Sequence, residues 1–372
     1  MAGESRPPAW AWSVKVNHVR VLVLNCGSSS VKWRLFDGEA ALAGGLVERV
    51  TDHTTALRQI LGEVTDVQAV GHRMVHGGLR FSAPALIDDE VVAAVTELIP
   101  LAPLHNPPNL AGVKVARELM PGIPQVAVFD TAFHRTIPPV NATYAIDAAT
   151  AAEHGIVRYG FHGTSHAYVS RKTAALLGKD PAHVNVITLH LGNGASACAV
   201  KGGRSFATSM GLSPLEGLVM GTRSGDIDPA IVFHLHRVAG MPLDAIETML
   251  NRQSGLRGLC GDNDMREVLK RREFGDASAA LAFDVYTARI KQYVGAYYAL
   301  LGRVDAITFT AGVGENAHEV RVAALSGLDR LGVSVERDGK GVISPPGAAV
   351  AVCVVPTDEE QEIATQTAAL LA

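Results

Sequence analysis

The chain is poor in cysteine, aromatics and charge. Its four cysteines, Cys26, Cys198, Cys260 and Cys353, are scattered over 372 residues with no C-x-x-C pair. That spacing argues against a disulfide scaffold or a zinc ribbon and fits a reduced, cytoplasmic protein. Aromatic residues make up 5% and charged residues 19%, against 48% hydrophobic. A packed core is therefore affordable and global disorder is excluded. The net charge of −4 speaks against general nucleic-acid or anionic-membrane binding, while leaving room for a small anion held by a few arginines and lysines. No apolar run approaches the length that spans a membrane; the longest, about 348–355, predicts a buried strand. Residues 1–18 hold Pro7-Pro8 and two tryptophans but no apolar stretch of the kind a secretory signal needs, and are expected to form a flexible leader. The length favours two domains.

Two stretches share a pattern of β-rich run, small-residue turn and second β-rich run. The first surrounds Asn25-Cys-Gly-Ser-Ser-Ser-Val-Lys32 and the second His190-Leu-Gly-Asn-Gly-Ala-Ser196. Each predicts a hairpin whose turn lets backbone N–H groups and hydroxyls approach an anion closely. One in each half suggests a duplicated domain that clamps a phosphate chain between its halves.

Strands are expected at 19–25, 30–37, 67–71 and 125–129, with helices at 53–62, 89–99 and 109–120. The first domain is expected to span 19–146 and the second 147–372, with the last helix, about 359–372, packing back on the first. In the second half, a helix follows Tyr159-Gly-Phe161-His162-Gly163-Thr-Ser-His166. Amphipathic helices are expected at 226–239, 242–251 and 275–302, and a strand at 306–310 that enters the turn Gly312-Val313-Gly314-Glu315-Asn316. Strands followed by helices in both halves predict an α/β protein with mixed sheets.

Several residues stand out chemically. Ser30 and Lys32 share one face of a strand, so both can reach one phosphate, with Asn25 at the preceding strand end near a bound cation. The alternative is a polar hairpin tip. The 312–316 turn suits nucleotide contact at a helix N-terminus, although it lacks the third glycine of the dinucleotide fingerprint. Arg73 and Arg223 sit among glycines, where a planar fork meets carboxylate or phosphate oxygens. Asp130 ends a strand, a position that faces the ligand crevice in α/β sheets or caps a turn. His72/His76 and His162/His166 have i, i+4 spacing, which binds zinc on helices. Neither pair carries the glutamate of H-E-x-x-H, so separate structural or substrate-contact roles are expected.

Taken together these segments resemble the acetate kinase family of short-chain carboxylate kinases. The likeness runs from about residue 19 to the end through motifs in family order. They include Gly71-His-Arg73-Met-Val-His-Gly-Gly78, Pro103-Leu-His105-Asn-Pro-Pro-Asn109, Val128-Phe-Asp130-Thr-Ala-Phe-His134, Met210-Gly-Leu-Ser-Pro214, Gly221-Thr-Arg-Ser-Gly-Asp226, Asp264-Met-Arg266 and Pro356-Thr-Asp-Glu-Glu360. The resemblance implies the duplicated actin-like ATPase (ribonuclease H-like) fold and a homodimer. It also implies reversible Mg²⁺-dependent transfer of the ATP γ-phosphoryl to acetate, giving acetyl phosphate and ADP, with Mn²⁺ able to substitute.

By the same resemblance, Asn25 and Glu359 sit at the metal and Lys32 at the ATP phosphates. His190, Leu191, Gly192, Asn193, Gly194, Asp264, Met265, Arg266, Gly312, Val313, Gly314, Glu315 and Asn316 line the nucleotide. Arg73 and Arg223 hold the carboxylate and the transferring phosphoryl, His162 steadies the transition state, and Asp130 matches the catalytic aspartate. Val75, Leu104, Phe161 and Pro214 match the pocket around the acetate methyl. The chain departs from the family pattern at Asp358, where Asn is usual, and at Cys26, where Ala is common. It is also somewhat short. An extra carboxylate beside the metal site leaves the choice between Glu359 and Glu360 open, whereas Cys26 reads as a small buried residue.

Acetate is already an anion at neutral pH, so its attack needs no general base, unlike that of a sugar hydroxyl. Asp130 is therefore expected to orient Arg223 or a metal-bound water. Val75 leaves little room in the pocket, which predicts acetate over propionate and excludes butyrate. The alternatives are a propionate or other short-chain acyl kinase, a relative using pyrophosphate, and a nucleotide-binding module of the same fold without transfer activity.

Overall fold

The computed structural model describes residues 19–27, 30–50, 52–103 and 105–372; the expected leader, 1–18, lies outside them. The chain divides into two compact units. One runs to Phe133 and takes back Asp358–Ala372, and the other is His134–Thr357. The division therefore falls earlier than residue 146, and the segment after Thr357 belongs to the first unit.

The first unit is built on a six-stranded sheet of β1 (Arg20–Cys26), β2 (Ser30–Asp37), β3 (Ala40–Glu48), β4 (Ala69–Met74), β5 (Ala85–Leu86) and β6 (Gln125–Phe129), in the order β3-β2-β1-β4-β6-β5. β1, β2 and β3 form an antiparallel meander, β1, β4 and β6 run parallel, and β5 closes the edge antiparallel. The second unit uses β7 (Asn185–Leu191), β8 (Ala195–Lys201), β9 (Arg204–Thr208), β10 (Ala306–Thr310), β11 (Gly341–Val342) and β12 (Ala351–Val354), in the order β11-β12-β10-β7-β8-β9. Here too a three-stranded meander leads into parallel strands and a short antiparallel edge. The same strand order and directions occur twice, which makes this the duplicated actin-like α/β fold with mixed sheets.

Sequence and layering agree in β1. Its Val21-Leu-Val-Leu24 run is buried on both faces, as a central strand covered by helices requires. Leu22 and Leu24 pack with Leu57 and Ile60 of helix His53–Glu63 and Ala116 of helix Asn106–Leu119. Val21 and Val23 turn the other way, to Val126, Val128, Ile363, Ala364 and Ala368, the last three on helix Glu359–Leu371. In the second unit, helix Ala277–Leu301 buries Phe283, Tyr286, Ile290 and Val294. Among the described residues no helix is long and apolar enough to cross a membrane.

Gly71 in β4 sets how closely helix Glu359–Leu371 approaches the sheet. A Cβ there would lie 2.5 Å from Thr367 Oγ1 and 2.8 Å from Ile363 Cγ2. Gly71→Ala is expected to destabilise the protein by about 1–3 kcal/mol through overpacking. A lowered urea midpoint at unchanged m-value checks this; an unchanged midpoint would show that the helix shifts freely.

Candidate active site

In the first unit, strand register gathers the charged residues. Asn25 pairs across the hairpin with Lys32, and β1 and β4 match Leu24 with His72, so Asn25 lies beside Arg73. The backbone N–H of Asp130 donates to Met74 O at 2.9 Å. Asn25, Arg73 and Asp130 thus stand at the carboxyl ends of three adjacent parallel strands, where open α/β sheets take ligands.

Arg73 donates through Nη2 to Asp130 Oδ2 at 2.7 Å and through Nε to Oδ1 at 3.2 Å. Asp130 is 1% exposed, so this is a two-pronged pair largely removed from water. Glu359 Oε2 lies 3.7 Å from the same Nε. Burial alone would lower the guanidinium pKa, but Asp130 and Glu359 beside it outweigh burial and hold it above its ordinary value. Asp130, expected to orient Arg223 or a metal-bound water, has Arg73 as its bonded arginine.

The segment Asp358-Glu359-Glu360 opens the last helix, and each carboxylate has its own cation. Asp358 accepts from Gln361 N at 2.9 Å and from Arg34 Nη1 at 2.7 Å. Glu360 is buried and lies 2.8 Å from Lys32 Nζ. Lys32 and Arg34 share a face of β2 by strand alternation, and acidic side chains at a helix N-terminus are favoured by its dipole. Asp358 is therefore a helix cap bound to an arginine rather than a loose extra carboxylate, and Glu359 is the member turned towards Arg73 and Asp130. Val75 is buried, its N–H donating to Asn109 Oδ1. Asn109 Nδ2 donates in turn to Cys26 O at 2.7 Å. Cys26 packs against Gly112, and burial pushes its thiol up to about 12, the behaviour of an inert core residue. Leu104 lies outside the described residues.

In the second unit the β7–β8 hairpin closes with Gly192 N donating to Gly194 O at 3.0 Å. Asn193 at its tip accepts from Gly221 N through its backbone carbonyl at 2.9 Å and from Asn263 Nδ2 through its side chain at 3.0 Å. The loop carrying Arg223 is thereby fastened to the hairpin. Arg223 Nη1 donates to Pro214 O at 3.1 Å, and burial lowers its pKa. A Cβ at Gly194 would lie 3.4 Å from Arg223 Nη1 and 3.6 Å from His162 Nε2. Both side chains therefore flank one spot on the hairpin, within contact distance of where a Cβ on Gly194 would lie.

His162 adopts φ 57° as the N-cap of helix Gly163–Leu176, a left-handed conformation uncommon outside glycine and concentrated at functional positions. Its ring stacks on His190 with centroids 4.2 Å apart. His190 Nδ1 meets Ser165 Oγ at 2.8 Å, and Ser165 Oγ meets Thr357 Oγ1 at 2.8 Å. The preceding residue, Phe161, is buried. The i, i+4 spacing of His162 and His166 serves hydrogen bonding to one shared hydroxyl, Ser196 Oγ.

The expected 312–316 turn is instead part of a short helix, Ala311–Asn316, followed by helix His318–Leu325. Ala311 enters it at φ 64°; Glu315 Oε1 accepts from Ala311 N at 3.0 Å, and Asn316 Nδ2 donates to Gly312 O at 2.8 Å. Val313 and Gly314 lie within it. Nothing in the local glycine pattern separates a turn from one and a half helical turns. Asp264 caps helix Met265–Glu273 by accepting from Arg266 N at 3.0 Å, and also binds the Arg266 side chain. Leu191 and Met265 are buried. Within each unit the expected residues converge: Asn25, Lys32, Arg73, Asp130 and Glu359 in one, and His162, His190, Asn193, Gly194 and Arg223 in the other. Asn109, Ser165, Thr188 and Ser196 were not singled out, because small polar residues carry no spacing signal of their own.

Comparison with known proteins gives a consistent result. The sequence profile described as the acetokinase family matches residues 50–365. The chain is 57% identical to an acetate kinase of Streptomyces avermitilis over 95% of this chain and 97% of that one. Identity is 58% with an acetate kinase of Streptomyces griseus, over 95% and 96%. Among solved structures, the acetate kinase of Porphyromonas gingivalis matches with a TM-score of 0.91 and 42% identity, covering 95% of this chain and 100% of that one. A propionate kinase from Francisella tularensis matches with a TM-score of 0.89 and 40% identity, covering 94% and 99%.

Three buried imidazoles near these sites are held neutral. Burial lowers His72, His76 and His134 to about 4, with the Gln125 contact at His72 and the Phe161 carbonyl at His134 opposing it only in part. The unfolded chain protonates these rings near pH 6.5 and the folded one near 4, so the unfolded state binds more protons in that window and stability rises with pH. Each such shift corresponds to about 3 kcal/mol. Urea midpoints are expected to fall steadily from pH 7 to pH 4.5; a flat profile would mean that water reaches these rings.

Proposed function

The chain belongs to the acetokinase family, and from that premise we propose that it is an acetate kinase, reversibly transferring the γ-phosphoryl of ATP to acetate. The observation that carries this reading is the Arg73–Asp130 pair at the strand ends, with Glu359 turned towards it. A carboxylate oxygen of acetate attacks the γ-phosphorus in line, the bond to the β,γ-bridging oxygen breaks, and ADP leaves; no proton moves. Catalysis is then positioning and charge neutralisation. Asp130 occupies Nε and one edge of Nη2, which fixes the Arg73 fork and turns its remaining N–H donors towards the acceptor carboxylate. Arg223 and His162, meeting over Gly194, oppose charge on the transferring phosphoryl. Asn193, the hairpin amides and helix Ala311–Asn316 take the nucleotide, with Asp264 and Arg266 at its rim.

Asn25, Asp130 and Glu359 offer hard oxygen donors, one or two carboxylates and an amide carbonyl, the set with which Mg²⁺ is held together with waters and substrate phosphates. Asn25 and Glu359 would hold it, Mn²⁺ being an acceptable substitute. When bound, the ion supplies charge neutralisation at the phosphate oxygens. Lys32, exposed and paired with Glu360, is the group we assign to the nucleotide phosphates. We place the protein in the cytoplasm, a setting that suits its four buried free thiols.

A propionate kinase reading is favoured by one observation, the close match to the Francisella tularensis enzyme. Hydroxamate trapping of the acyl phosphate with ATP, Mg²⁺ and each acid separates the two. Acetate is expected to be preferred, with propionate used poorly. Val75→Ala should raise the propionate-to-acetate ratio of kcat/KM by about tenfold, since one methylene in an apolar pocket is worth about 1–3 kcal/mol. No hydroxamate with either acid would leave a nucleotide-binding module without transfer.

We further propose a homodimer formed through helix Ala230–Arg237. None of its residues is buried, and Ile231, Phe233 and Val238 present apolar side chains to solvent, an exposure that marks association surfaces. Phe233→Glu is expected to give monomers in light scattering; a variant that stays dimeric would move the interface elsewhere.

A further inference from the structure

Behind His162 lies a chain of hydrogen bonds. His162 Nδ1 meets Ser196 Oγ at 2.9 Å, and Ser196 Oγ meets His166 Nε2 at 2.7 Å. His166 Nδ1 meets Thr188 Oγ1 at 2.7 Å, and Thr188 Oγ1 lies 3.4 Å from the carbonyl of Cys198. The fold assembles these groups from three places. Thr188 and His190 share one face of β7, Ser196 and Cys198 are their cross-strand partners on β8, and His162 and His166 are one turn apart on the helix laid against them.

Counting protons along this chain fixes its direction. The Cys198 carbonyl, at 3.4 Å, can only accept, and we take it as the acceptor of the single Thr188 hydroxyl proton. Thr188 Oγ1 must then accept from His166 Nδ1–H. His166 is fully buried and kept neutral by that burial, with His134 and His190 close by, so its other nitrogen, Nε2, is bare. Ser196 donates its only proton to that lone pair, and its oxygen is left to accept from His162 Nδ1–H.

We propose that the Ser196–His166–Thr188 relay holds His162 in the Nδ1–H tautomer, making Ser196, His166 and Thr188 positioning residues for this histidine. Its Nε2, the atom beside Gly194 and Arg223, is then an acceptor in the neutral ring and becomes a donor only in the imidazolium. The consequence for catalysis rests on reading His162 as a partner of the transferring phosphoryl; the tautomer itself does not.

The test is made on the full-length protein without substrates, by NMR of histidine-selective ¹⁵N-labelled samples, with His162→Asn identifying the His162 signals. Neutral His162 is expected to show a protonated Nδ1 and a bare Nε2. Thr188→Val, nearly isosteric, removes the terminal hydroxyl without touching His162. The relay should then reverse: His166 donates from Nε2, Ser196 donates to His162 Nδ1, and His162 switches to Nε2–H. With Ser196→Ala already in place the two rings are uncoupled, and adding Thr188→Val should leave His162 unmoved. A wild-type His162 with Nε2–H, or a Thr188→Val protein with its tautomer unchanged, overturns the proposal. The wild-type spectrum decides even if a variant fails to fold. Absence of hydroxamate formation would overturn the kinase reading while leaving this result standing.

Discussion

The two-pronged bond between Arg73 and Asp130 is the constraint around which the first unit is arranged. An ion pair this far from water is a weak source of stability, because desolvation offsets most of the Coulombic attraction, yet losing one partner is costly. It persists only where every lone pair and N–H finds a use. Here β4 and β6 run parallel in fixed register, Met74 O takes the Asp130 amide, and the carboxylate can only face the guanidinium. Glu359 adds a second negative charge at 3.7 Å, so the local excess of carboxylate calls for a further cation. The returning segment follows the same logic: Arg34 answers Asp358 and Lys32 answers Glu360. The last helix is fixed at its start by charge and along its length by Ile363 and Thr367 against Gly71.

The duplication gives two sheets of one topology and two different chemistries at equivalent strand ends. In the first unit the ends of β1, β4 and β6 carry an amide, a cation and a carboxylate. In the second, β7 presents His190 near its end, and Thr357 follows β12, joined through Ser165. Charged groups dominate one set and hydroxyl-linked imidazoles the other. Backbone geometry alone therefore does not select the chemistry. It supplies places where side chains converge, and burial together with the neighbouring groups then decides which stay charged: Arg73 is held by adjacent carboxylates, whereas His166 is bonded to two hydroxyls with other rings close by.

Much of this was legible in the residues, and the exceptions have physical causes. β1, β2, β6 and β10 were visible because β-branched and aromatic runs end in small polar turns. β3 was not, because Ala40-Ala-Leu-Ala-Gly-Gly45 has no such signature, and it forms by pairing with β2 at a solvent-exposed edge. The division after Phe133 leaves no mark in composition, since no linker-like stretch stands there. Lys32, Asp130 and Arg73 could be named individually, but the Arg73–Asp130 bond spans 57 residues and follows from strand register, which periodicity does not encode. Ser196, although part of the hairpin motif, and Thr188 carry no legible role for the same reason: a buried hydroxyl becomes informative only when its donors and acceptors are known.

The nature of the acceptor explains why the buried aspartate is bonded to arginine rather than left poised as a base. A hydroxyl acceptor must lose a proton, so a kinase acting on one needs a carboxylate free to take it. A carboxylate acceptor arrives deprotonated and brings negative charge towards an already anionic phosphate chain. Its difficulty is repulsion, which a base would worsen. On the reading proposed above, tying Asp130 to Arg73 fixes the guanidinium in place, so that its remaining N–H donors are oriented before the acceptor arrives. We read the second unit the same way: Arg223 Nη1 and the His162 ring both lie within contact distance of where a Cβ on Gly194 would stand. In both units the side chains are held in place by their neighbours: Arg73 by Asp130, and the His162 ring by Ser196 and His190.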